Sequence, residues 1–145
     1  MKPVEQAAMA LFNDRSLKGR IRPENGQPLA GESPVAFRVP QTRTMLFTEP
    51  DDPAESPRSV AGFLMWMEMN HVGVRVHLIH PIGSGNDDTA LLAYYLGYRI
   101  ELFHHNFVYH PFRVQDWDDE GWISELLSVA RFIVREDLHE SEPKM

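Results

Sequence analysis

The sequence predicts a single α/β domain, bordering on α+β, in which a mixed sheet of about five strands packs with about four helices. Two observations carry that expectation. A helix-like segment, a glycine and a β-branched segment follow one another twice, around Gly73 and again around Gly97. A strand–helix–strand unit of that kind joins parallel strands by a right-handed crossover. At 145 residues, 43% of them apolar and 24% charged, the chain suits one core rather than two.

The elements follow in order. Residues 3–13, PVEQAAMALFN, place Val4, Ala8, Leu11 and Phe12 on one stripe and predict a short amphipathic helix. Gly19, Pro23, Gly26, Pro28, Gly31 and Pro34 make 19–34 a proline- and glycine-rich arm of irregular structure. Val35–Val39 and Thr44–Thr48, separated by a turn beginning at Pro40, read as a hairpin. The polar, proline-broken segment 49–59 is a loop, and Ser56-Pro57 fits a helix start. That helix would run to Asn70 with Val60, Phe63, Leu64 and Met67 inward; so continuous an apolar run also fits a strand.

Val74–Ile79 then reads as a strand, Thr89–Leu96 as a helix ended by Gly97, and Tyr98–Phe103 as a second strand parallel to the first. His104, His105 and Asn106 would turn the chain, and Phe107–His110 would return antiparallel. Pro111 cannot donate to a ladder, which puts that returning strand at a sheet edge. For the last helix, Asp116 is the expected cap with Asp119 three residues on. Ile123, Leu126, Leu127, Ala130, Ile133 and Val134 then recur at helical spacing. Residues 139–145 read as a frayed tail.

Composition narrows function. No cysteine is present, so disulfides, thiolate metal sites and a cysteine nucleophile drop out together. No apolar leader follows the first residues, and the apolar run Val60–Met69 is too short to span a bilayer, so a cytoplasmic protein is expected. Formal net charge is −7, and the lysines stand at 2, 18 and 144 alone. The one basic stretch, from Arg15 to Arg22, is too small a footprint for nucleic acid in an acidic chain. A basic protein partner is the better match.

The turn Gly83–Thr89 has glycines, Ser84 and Thr89 between a strand and a helix, as a phosphate cradle would. It lacks a lysine, and Asp87 and Asp88 would repel the anion. The turn therefore reads as a helix start, with the acids complementing the helix dipole. In open α/β sheets ligands bind outside the carboxyl ends of the strands. That edge is expected to collect Glu49, Asp51, Asp52, His80, Asp87, His104 and His105, a set able in principle to do acid–base chemistry or hold a metal. No HxH, HExxH or GxSxG spacing supports either use. His77 reads as a hydrogen-bonded structural residue, His110 as a surface one, and the tryptophans as core and helix anchors.

The leading expectation is a non-catalytic acidic binding module of toxin-neutralising (immunity-like) or adaptor type, without cofactor or metal. Its basic partner would meet Asp51, Asp52, Asp116, Asp118, Asp119 and Glu120. A small enzyme using metal or phosphate is the alternative, with His80, His104, His105 and Asp87 as candidate catalytic groups and the three histidines as candidate ligands. A subunit of a larger assembly is a third.

Overall fold

A computed structural model describes residues 3–23, 35–42, 44–48, 75–83 and 107–140. Two helices and five strands lie within them: α1 (Pro3–Asn13), β1 (Arg22–Pro23), β2 (Val35–Val39), β3 (Thr44–Thr48), β4 (Arg75–Gly83), β5 (Phe107–Val114) and α2 (Gly121–Glu140). The strands form one mixed sheet in the order β1-β2-β3-β4-β5. The first three are antiparallel neighbours, and β3, β4 and β5 are parallel. The expected helices near 57–70 and 89–96, and the strand 98–103, lie outside the described residues.

α1 opens with Pro3, whose fixed φ suits a first helical position, and carries Glu5 in its first turn. Ala7, Ala8 and Leu11 form its buried face. Beyond its end, Asp14 organises a tight turn: Leu17 and Lys18 donate backbone N–H groups to the Asp14 carbonyl oxygen at 3.3 and 3.0 Å. Leu17 N–H also reaches Asp14 Oδ2 at 3.1 Å. Gly19 sits at φ 84°, a left-handed conformation that glycine adopts without steric cost. The turn delivers Arg22 and Pro23 to pair with Arg38 and Phe37. The described start of the arm, through Pro23, is therefore ordered, because it finds a ladder on the edge of β2.

The expected hairpin is β2–β3, registered from Val35 opposite Thr48 to Val39 opposite Thr44. Thr42 N–H donates to the Val39 carbonyl oxygen at 3.2 Å and closes the turn. Two expectations for the next strands need correction. β4 continues four residues past Ile79, through His80, Pro81 and Ile82 to Gly83. β3 accompanies it only as far as Ile79, so Pro81 falls where a single described neighbour, β5, remains and a missing donor is tolerated. Secondly, β5 runs parallel to β4, from Phe107 opposite Val76 to Val114 opposite Gly83, and passes through Pro111. Pro111 does lie on an outer strand of the described sheet, as its chemistry requires.

Both helices pack on one face of the sheet. Leu11, Leu17, Phe37, Val39, Leu46, Ile79, Val114, Trp122, Leu126, Ala130, Ile133 and Val134 make a continuous core there. Strand alternation sends Val76, Leu78, His80 and Ile82 to the opposite face, where all four are buried. α2 begins beside the carboxyl end of β5 and runs back along the sheet. At its far end Asp137 accepts hydrogen bonds from the hydroxyls of Thr42 and Thr44, the latter at 2.8 Å. Arg131 of α2 pairs with the buried Asp14 carboxylate and ties the two helices together. That guanidinium, with help from backbone N–H groups of Leu17 and Ser16, holds Asp14 below the usual carboxylate range.

Among the described residues no helix is long and apolar enough to cross a membrane.

Candidate functional site

Because β3, β4 and β5 are parallel, Thr48, Gly83 and Val114 mark one shared carboxyl edge. The chain leaves β5 there through Gln115 and enters the turn Asp116–Glu120 before α2. Local chemistry shapes this turn. Asp116 Oδ1 accepts the Asp118 N–H at 2.9 Å, and Asp119 N–H reaches the Asp116 carbonyl oxygen at 3.2 Å. Asp119 Oδ1 then accepts the Gly121 N–H at 2.9 Å, while the Glu120 carbonyl oxygen receives Ile123 and Ser124. Such side chain to backbone bonds are the usual competitors of regular structure before a helix. Asp116 therefore shapes the turn and does not cap α2 directly; the helix begins at Gly121 with Asp119 bonded to its first N–H.

Trp117 and Trp122 fix the turn to the helix. Their rings meet edge to face at 4.9 Å, and the Trp122 indole N–H donates to the Trp117 carbonyl oxygen at 3.1 Å. These two tryptophans act as helix anchors, as expected; Trp66 lies outside the described residues. The Trp117 indole nitrogen is buried without a hydrogen-bond partner.

Asp116, Asp118, Asp119 and Glu120 are all exposed, and none forms an ion pair among the described residues. Beside them opens a cleft of about 500 Å³ between α1 and the start of α2, lined by Gln6, Met9, Trp117, Asp118, Glu120, Ile123 and Ser124. Its lining mixes an apolar surface (Met9, Trp117, Ile123) with two carboxylates. Four acids within five residues crowd like charges together, and the partial positive charge at the start of α2 offsets part of that repulsion.

The structure thus brings together Asp116, Asp118, Asp119 and Glu120 of the expected set. Asp51, Asp52, Asp87, His104 and His105 lie outside the described residues. His80 is corrected: it is not a turn residue at the edge but an interior residue of β4, 1% exposed. Its Nδ1 stands 2.7 Å from the Tyr109 hydroxyl on the neighbouring strand. Desolvation drops its pKa to about 4, so it is neutral near pH 7. Among the described residues no group of three His, Asp or Glu side chains could hold a metal ion.

Another histidine pair lies on the helix-covered face. His77 Nδ1 and His110 Nε2 are 2.9 Å apart, with the rings stacked at 5.2 Å. One ring donates and the other accepts, which requires at least one neutral imidazole. Both pKa values fall to about 4: His77 through burial, then the charges of His110 and Arg75, with Asp137 opposing; His110 through burial. His77 is the hydrogen-bonded structural residue its strand position suggested. His110 is not the surface residue expected, because parallel pairing carries it onto the face that α2 covers. The available signal was strand parity, which gives a side chain's face only once register and direction are known. No protein-family model matches the chain, and no match was found among curated proteins or solved structures.

Proposed function

We propose that the protein is a non-catalytic acidic binding module, of toxin-neutralising or adaptor type, that docks a basic protein partner at the carboxyl edge of its sheet. The observation that supports this reading is the turn 116–120, which presents four exposed carboxylates free of ion pairs among the described residues, on a backbone fixed by its own hydrogen bonds. The formal net charge of the chain, −7, has the same sign. Fixed, unpaired surface charge favours fast, steered association, because no existing salt bridge must break first. An acid–base enzyme at this edge has less support: His80 is enclosed in the sheet and neutral.

The test is kinetic. A partner captured from the native host should associate more slowly with Asp116→Lys/Asp119→Lys than with the wild-type protein. Its on-rate for the wild type should fall steeply as salt rises. An on-rate indifferent to both the charge reversal and the salt removes the reading.

A further inference from the structure

We infer that the cleft between α1 and the start of α2 receives a short arginine-bearing segment of the basic partner. Aliphatic parts of the segment would lie on Met9, Trp117 and Ile123, and its guanidinium would meet Asp118 and Glu120. The inference rests on the proposed binding role and adds to it a defined receptor and a class of ligand side chain.

Three properties of the cleft select that occupant. Its volume, about 500 Å³, leaves room for a short segment of a partner. Its lining pairs apolar side chains with carboxylates. An apolar ligand alone would bury Asp118 and Glu120 without compensation, a costly arrangement. An anionic ligand would face the two lining carboxylates, Asp118 and Glu120, against the partial charge of one helix terminus, roughly half a unit. A residue with a long apolar stem and a cationic head satisfies both parts of the lining. Arginine suits it better than lysine, because its planar fork can bond two carboxylate oxygens at once and is more weakly hydrated.

The probe is a fluorescein-labelled peptide of alternating arginine and leucine, followed by fluorescence anisotropy. Its counterpart carries citrulline, the neutral isostere, in place of arginine. Two variants divide the cleft into its parts. Ser124→Trp fills it from an exposed position of α2 with no change in charge, and serine and tryptophan have similar helix propensities. Asp118→Lys/Glu120→Lys reverses the carboxylates and leaves the volume open. Thermal unfolding of each variant checks that the fold is kept. We expect the arginine peptide to bind the wild-type protein and the citrulline peptide to bind at least about tenfold more weakly. Each variant should lose about tenfold in affinity for the arginine peptide.

Loss in the charge-reversed variant with unchanged binding by Ser124→Trp overturns the cleft and leaves the acidic binding role standing. Loss in Ser124→Trp alone shows an apolar site and overturns the arginine assignment. Equal binding of the citrulline and arginine peptides overturns recognition of a cation in the cleft, as does absence of binding to the wild type up to about millimolar peptide. The broader role is judged separately, by the on-rate of the captured partner.

Discussion

Three of the described histidines have pKa values depressed to about 4, first through burial, and each makes stability sensitive to acid. An unfolded chain binds a proton at each near pH 6.5, while the folded chain resists until about pH 4. Their stabilising effect is therefore complete above pH 6.5 and drains away as pH falls toward 4. For the enclosed His80 alone the loss is on the order of 3 kcal/mol. Urea unfolding across this window should show stability falling with acid. His80→Gln, which cannot titrate, should make the slope shallower by up to about 1.4 kcal/mol per pH unit; an unchanged slope would mean that His80 keeps its ordinary pKa. Asp14 acts at lower pH: its depressed carboxyl pKa adds stability that disappears once the carboxylate is protonated. Near the carboxyl end of α2, Asp137→Ala should cost roughly 2–4 kcal/mol, since two hydroxyls lose their acceptor and that of Thr44 is buried. Trp117→Phe works in the opposite sense. It deletes an indole N–H that has no partner, so chemical denaturation should find stability within about 1 kcal/mol of wild type despite the smaller ring.

Elements differ in how much of them is written locally. The Ile123–Val134 periodicity gives α2, and the stripe in 3–13 gives α1 with one correction, since Ala8 and Leu11 are buried but Phe12 is exposed; an amphipathic face is a property of one segment. The β2–β3 hairpin was legible for the same reason: its register is set by a short turn. The direction of β5 was not legible, since nothing within Phe107–Val114 states which strand it will join. The end of β4 was missed because Pro81 looks like a break, and only the early end of β3 makes it acceptable. The same limit hid part of the site. Asp116–Glu120 stands out as an acidic run, but the α1 wall of the cleft, Gln6 and Met9, comes from more than a hundred residues away in sequence. Two substitutions probe elements as units. Gly19→Ala should destabilise by roughly 1 kcal/mol, less for Gly19→Asn. A Cβ there would meet nothing within 4 Å, so the cost is one of backbone conformation alone. Leu126→Ala, at a fully enclosed position in mid α2, should cost about 2–5 kcal/mol in an equilibrium denaturation measurement.

At the scale of the whole molecule, charge and connectivity have separate consequences. The net charge of −7 belongs to the proposed binding role, and its influence there is tested by salt rather than by any single contact. Connectivity governs how the chain reaches its fold. Asp14 and Arg131 are 117 residues apart in sequence, yet their pairing joins the two helices that cover one face of the sheet. During synthesis on a ribosome α1 is made before α2, so the contact between the two helices waits until α2 leaves the exit tunnel. The strands β1 to β5 can add to the sheet in the order in which they are made. The part of their helix-side surface that α2 covers waits for that helix, so the nascent chain exposes those apolar residues until α2 is made. Such a face invites a holding chaperone, and slowing translation across 107–140 would lengthen the exposure that a chaperone must cover.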